Sequence, residues 1–176
     1  MAIKTVNRAL SLASDLRWHQ KNHMVGELSL KHLHIWNSVL HSGAAGALVF
    51  EDDFVVTSEA DHQVMSNLLS KYLGQTDFID LAGGFKRKAI GLPAAPGEDL
   101  QLEFIASNTT CAYFISRDAC ATLFDIIHSD SSAKYFGSDW LLNAVNDRLL
   151  GAKSVHPWRL PYVHGSLKGI VPSLFD

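Results

Sequence analysis

Three consecutive carboxylates, Glu51-Asp52-Asp53, follow directly on the apolar run Gly46-Ala-Leu-Val-Phe50. A run of that length and composition reads as a strand buried on both faces, and the carboxyl ends of strands are where open α/β sheets bind their ligands. Three adjacent carboxylates repel one another, so gathering them out of water without a cation is costly. All-oxygen ligation suits Mg²⁺ or Mn²⁺. Such an ion is useful against a diphosphate, where it bridges the phosphates and offsets the charge on the leaving group. The alternative is a solvated acidic turn. The flanking apolar segments, with Phe54-Val-Val56 after the triplet, favour the ligand-binding reading.

The elements that must position this triplet read as one α/β domain over residues 1–176. Ala9, Leu10, Leu12, Ala13 and Leu16 suggest a helix over 7–20. A second helix is expected from Gly26, with Leu30, Leu33, Trp36 and Leu40 at helical steps, ending at Ser42-Gly43. After the strand 46–50, Thr57-Ser58 open a helix with Val64, Leu68, Leu69 and Tyr72 on one face, stopping at Gly74. Further strands are predicted at 78–82, 101–105, 111–115 and near 154–156. Ser116 is expected to cap a helix through His128, and Ser138 to cap another with Leu141, Leu142, Val145 and Leu149 inward. Residues 85–100, rich in Gly and Pro, read as a long irregular loop, of the kind that is either functional or disordered. Alternating strands and helices imply a three-layer α/β sandwich with a mostly parallel sheet.

Bulk properties narrow the function. A net charge of −3 supplies no field that would recruit nucleic acid or an anionic membrane, and the one basic run, Lys86-Arg87-Lys88, is short. Cys111 and Cys120 are too few and too far apart for a zinc knuckle or disulfide framework. Cys111, within Ala112-Tyr-Phe-Ile115, reads as a buried small hydrophobe. The first residues lack a signal-peptide pattern and no segment has membrane-spanning length, which predicts a cytoplasmic location. His32 and His34 lie two apart on a helix and point apart, so they are poor joint ligands.

The stretch His32-Leu-His-Ile-Trp36, Val39-Leu40, Gly43 and Ala47-Leu-Val-Phe-Glu-Asp-Asp-Phe54 resembles glycosyltransferase family 25, the lipopolysaccharide and collagen galactosyltransferases. Thr109-Thr-Cys-Ala-Tyr-Phe-Ile-Ser-Arg-Asp-Ala119 resembles the same family's strand-turn-helix before its second acidic site. The resemblance runs over roughly residues 26–150. It implies a GT-A fold, here with a shortened N-terminal nucleotide-binding part. It also implies Asp53 as a metal ligand, with Glu51 and Asp52 nearer the donor's ribose or bound water. Gly83 and Gly84 would form the glycine loop at the sugar, and Asp139 would match the second acidic position. His164, in His164-Gly-Ser-Leu-Lys-Gly169, would match a late histidine that reaches the metal.

A carboxylate at a helix start such as Asp139 is stabilised by the dipole and free amides, so its pKa is expected to stay low and a base there to act by positioning. Charge complementarity to the helix is the alternative role. His164 could equally be a core histidine with one hydrogen bond. Lys168 is a candidate for neutralising a departing diphosphate, or an unspecialised surface lysine. The expectation is a metal-dependent hexosyltransferase using Mn²⁺ or Mg²⁺, a nucleotide-sugar donor of UDP type and a glycan or glycoconjugate acceptor. The alternatives are a non-catalytic nucleotide-sugar or glycan binding module and a metal-assisted diphosphate hydrolase.

Overall fold

The computed structural model describes residues 16–83, 96–130, 133 and 136–172, with the side chains of the first helix described from residue 28 onward. Helices α1 (Leu16–Ser42), α2 (Glu59–Tyr72), α3 (Arg117–Ser129) and α4 (Ser138–Ala144) alternate with strands β1 (Gly46–Phe50), β2 (Phe54–Val55), β3 (Phe78–Asp80), β4 (Leu100–Leu102), β5 (Ala112–Ser116), β6 (Ser154–His156) and β7 (Val163–His164). Five strands form one sheet in the order β1-β5-β3-β6-β4, and β2 pairs with β7 in a separate two-stranded sheet.

The sheet is not mostly parallel. Only β3 and β6 run parallel, while β1/β5, β3/β5 and β4/β6 are antiparallel. The inference failed for a physical reason. β3, β5 and β6 carry helices or chain on both faces, so almost all their residues are buried. A strand covered on both sides reads as a continuous apolar run whichever way its neighbours point. β1 is also less buried than its composition suggests: among the described residues it pairs on one side, with β5, and Phe50 is exposed.

Side-chain alternation divides the core between the two faces of the sheet. Val49, Phe78, Tyr113 and Ile115 face Trp36 and Val39 of α1, Leu123 of α3 and Leu141 and Leu142 of α4. Ile79, Ala112, Phe114 and Val155 face Leu68 and Tyr72 of α2 and Tyr162 of the C-terminal tail. The layered α/β arrangement thus stands, with helices on both faces.

Local chemistry accounts for the ends of the elements. Gly46 opens β1 because a Cβ there would lie 2.4 Å from the Ile115 carbonyl oxygen. The Ser116 hydroxyl accepts from Ala119 N–H at 3.1 Å and caps α3, as expected. Arg117 donates to the Leu40 carbonyl at 2.7 Å, satisfying an orphan acceptor in the last turn of α1. Other boundaries differ from expectation, among them the strand expected at 78–82, which ends at Asp80. α1 runs unbroken through Gly26, since one glycine inside a long helix costs only about 1 kcal/mol. The strand expected at 101–105 ends at Leu102. Ser138 is the first residue of α4 rather than its cap; its hydroxyl is turned to Thr110 instead. The first part of the helix expected at 7–20 and most of the loop 85–100 lie outside the described residues.

Candidate functional site

Asp52 and Asp53 form a turn between β1 and β2, so the chain reverses within the triplet and its three side chains part company. Asp52 is exposed. Glu51 turns toward α1, and Asp53 turns toward the C-terminal tail.

Glu51 sits at the end of a hydrogen-bonded chain of buried groups. Trp36 Nε1 donates to the Tyr113 hydroxyl at 2.9 Å, and that hydroxyl lies 2.7 Å from His32 Nδ1. Burial pushes the Tyr113 phenol well above its ordinary pKa, so it keeps its proton. On the other side of the His32 ring, Nε2 donates to Glu51 Oε1 at 2.9 Å, since a carboxylate oxygen accepts. Thr110 also donates to Oε1. The Thr110 oxygen in turn takes the Ser138 hydroxyl proton across 3.0 Å. Glu51 is therefore oriented by the scaffold and parted from Asp52, with which the resemblance grouped it near the donor's ribose or bound water.

Two asparagines fix the far side of this corner. Asn146 exchanges two 2.7 Å bonds with the backbone of Ile105. Asn143 accepts from Ser107 N–H at 2.9 Å and donates to the Ser107 carbonyl at 2.7 Å. Together they clamp the segment leading to Thr110 onto α4 and the 3₁₀ turn Val145–Asp147 that follows it. Asp139 stands here in the first turn of α4. Its carboxyl is shifted upward by burial, opposed by the Trp140 backbone N–H and reinforced by the negative charge of Glu51. This corrects the low value expected from its helix-start position: a turn as short as α4 offers too little dipole to outweigh desolvation beside another carboxylate.

Asp53 belongs to a second corner, built on the small β2/β7 sheet. Phe54 pairs with His164 and Val55 with Val163, while Gly165 N–H donates to the Asp53 carbonyl at 2.8 Å. Gly165 is required there, since a Cβ would stand 2.6 Å from that same oxygen. Asp53 Oδ2 accepts from Ser166 Oγ at 2.6 Å and lies 3.0 Å from His164 Nδ1. The Cys111 thiol faces the same carboxylate, and burial, with Asp53 beside it, pushes that thiol far up. Burial raises the Asp53 carboxyl, but the Ser166 hydroxyl, the Cys111 thiol and His164 outweigh it and hold it below the ordinary value. Among the described residues its other oxygen, Oδ1, is buried and has no N–H or O–H donor.

That orphaned oxygen and the donor set fit a divalent cation. Asp53, Cys111 and His164 each bring one ligand atom to a group in which all lie within 4.8 Å. Among the described residues the two residues marked as metal ligands, Asp53 and His164, are thus brought together from opposite ends of the chain. Asp139 and Glu51 are brought within electrostatic reach of each other. Lys168 is exposed, four residues beyond His164 in a turn whose backbone bonds to the His164 and Gly165 carbonyls. Gly83 has φ +73, a conformation that glycine adopts without strain, and its N–H caps Asp80 Oδ1 at 2.7 Å. Gly84 lies outside the described residues.

Several partners escaped the sequence reading: His32, Thr110, Tyr113, Ser138, Ser166 and the side of Cys111 that faces Asp53. One signal for His32 was present. His32 and Trp36 are four apart, hence on one helix face, and a lone tyrosine hydroxyl in the apolar strand β5 must find a buried partner.

A cavity of about 740 Å³ opens at the opposite end of the sheet, bordered by Asp77, Arg117, Asp118 and Lys153. It includes the last residue of β5 and the first of β6, and none of the triplet. No helix among the described residues is long and apolar enough to cross a membrane. Neither a family model nor a curated protein sequence matches this chain.

Proposed function

We propose that this protein is a metal-dependent glycosyltransferase of reduced GT-A type, transferring a hexose from a nucleotide diphosphate sugar of UDP type to a glycan or glycoconjugate acceptor. The observation that carries the reading is the 3.0 Å approach of His164 Nδ1 to Asp53 Oδ2, beside a buried carboxylate oxygen with no N–H or O–H donor among the described residues. Those two residues are the pair that the resemblance to family 25 marks as metal ligands.

Asp53 and His164 would hold Mn²⁺ or Mg²⁺, which when bound offsets the charge of the departing nucleoside diphosphate. Asp139 accepts the proton of the acceptor hydroxyl. Its raised pKa brings it closer to the working range of a general base than an ordinary aspartate. Glu51, immobilised by His32 and Thr110, is a fixed acceptor for a donor hydroxyl and keeps Asp139 basic through its charge. Exposed Trp140, next to Asp139, offers an apolar ring face to an acceptor sugar.

One observation favours a second reading, a non-catalytic binding module for the same ligands. Glu51 is already satisfied within the protein, as a structural residue would be. Calorimetric titration with UDP in Mn²⁺ and in chelator tests the ligand, and product analysis with UDP-sugars separates transfer, hydrolysis and binding alone. Equal UDP affinity with and without Mn²⁺ would remove the metal-bridging basis of the proposal.

A further inference from the structure

The Asp53 corner contains a third donor that neither Mn²⁺ nor Mg²⁺ chemistry calls for. Cys111 immediately precedes β5, is fully buried in the apolar layer that also holds Phe114, and brings its sulfur into one group with ligand atoms of Asp53 and His164. The three ligand atoms of Asp53, Cys111 and His164 come from three separate segments: the turn after β1, the lead-in to β5, and β7. The backbone ties these segments together. Glu51 N–H donates to the Cys111 carbonyl at 2.8 Å, and Gly165 N–H to the Asp53 carbonyl at 2.8 Å. A cysteine serving only as a small hydrophobe would not need to set its thiol against a carboxylate and an imidazole.

We propose that Asp53, Cys111 and His164 form a three-donor centre in which the Cys111 thiolate is a direct ligand, so that it takes a thiophilic divalent ion such as Zn²⁺ in preference to Mg²⁺. On binding, the Cys111 proton passes to solvent, the ion sheds waters, and one metal–sulfur, one metal–oxygen and one metal–nitrogen bond form, with no change of oxidation state. Two anionic ligands and a doubly charged ion give a cluster with no net charge, which suits a mostly buried position. Zinc bonds of about 2.0–2.3 Å in a tetrahedron set ligand atoms about 3.3–3.7 Å apart. Atoms that already lie within 4.8 Å reach this spacing by small movements. Mg²⁺ instead prefers six oxygen ligands and keeps several waters, for which a thiol is a poor substitute. Three protein ligands leave a fourth position open, the pattern of reactive rather than purely structural zinc sites. That position is where a phosphate oxygen would enter. The inference rests on the metal part of the proposed function and is independent of sugar transfer.

The test uses the whole protein, stripped of metal by a chelator, without nucleotide. Zn²⁺, Co²⁺, Mn²⁺ and Mg²⁺ are titrated separately against a chromogenic competitor or by calorimetry. One Zn²⁺ should bind per chain, at least ~100-fold more tightly than Mg²⁺. The Co²⁺ form should show a thiolate-to-cobalt charge-transfer absorption in the near ultraviolet, a readout that needs no variant. Cys111→Ser should lose that band and weaken Zn²⁺ at least ~10-fold, whereas Cys120→Ser, at a buried position on α3 in the other apolar cluster, should keep both. A Co²⁺ complex without the band, or Zn²⁺ affinity unchanged in Cys111→Ser, overturns the inference. If Mn²⁺ and UDP still bind together in that case, the glycosyltransferase proposal survives it. Failure of every ion to bind overturns both.

Discussion

Glu51 and Asp53 are separated by one residue, yet their surroundings differ in kind. Glu51 ends a chain of donors running through Trp36, Tyr113 and His32, with Thr110 and Ser138 closing the other side. Those groups are carried by α1, β5, the segment leading into β5, and α4, so the corner is welded to the main core. Asp53 is held by His164 of the two-stranded sheet and by Ser166 just beyond it, and among the described residues one of its buried oxygens has no N–H or O–H donor. The contrast teaches that adjacent carboxylates need not share a task. A fully satisfied polar network gives rigidity, whereas a partly satisfied one is where a ligand is awaited.

The sharpest way to break this comparison is at Asp139. Asp139→Asn should lower transfer activity by roughly two to four orders of magnitude, the usual range for loss of a general base, while UDP affinity stays within about threefold, or ~1 kcal/mol. Near wild-type turnover would make the Glu51 corner purely structural.

His32→Ala tests how firmly that corner is tied to the fold. It removes a buried ring and leaves Glu51 short of a donor, so unfolding by urea should show a loss of about 3 kcal/mol. His164→Ala, by contrast, should cost no more than about 1 kcal/mol, since the β2/β7 pairing is peripheral. It should nevertheless weaken metal and UDP binding together. A His164→Ala protein as unstable as His32→Ala would erase the distinction between the corners.

Gly165→Ala attacks the Asp53 corner through its backbone. The new methyl must displace the Asp53 carbonyl at 2.6 Å, which is expected to cost about 2 kcal/mol and to misplace His164. Metal affinity should therefore fall with no ligand removed. Retained affinity would show that the β2/β7 register does not set the site.

The smallest expected effect is a pH dependence. Burial beside Glu51 raises the Asp139 carboxyl above 3.8, so the folded protein holds that proton to higher pH than the unfolded chain. Its contribution therefore favours folding at acid pH and is lost as pH climbs from 3.8 through the raised value. Asp139→Asn should remove this downward slope from a stability profile measured between acid and neutral pH. An identical profile in both proteins would place Asp139 in an environment no different from water.

Much of the fold was legible from residues alone. The limits of β1 were read from Gly46-Ala-Leu-Val-Phe50, and the Ser116 cap and the inward face of α4 followed from local patterns. Strand direction was not legible, because Phe78-Ile79 and Val155 are covered on both faces and carry no alternation to reveal their neighbours' sense. Within the site, the triplet and Asp139 announced themselves by position. Cys111 did not: inside an apolar stretch it is indistinguishable from an ordinary core cysteine until Asp53 is seen beside it. Two-residue strands such as β2 and β7 are likewise too short to show a period.

What the sequence determined by itself was the layered α/β plan and the presence of a dense acidic turn after an apolar strand. Hydrophobic spacing and capping residues act over a few positions, and so can be read along the chain. Only the tertiary structure decided which carboxylate faces the scaffold and which faces a candidate ion. That outcome depends on the turn at Asp52-Asp53 and on the return of His164 and Ser166 from the far end of the chain. Contacts between residues so distant are set by packing in three dimensions, and no local pattern of residue types encodes them.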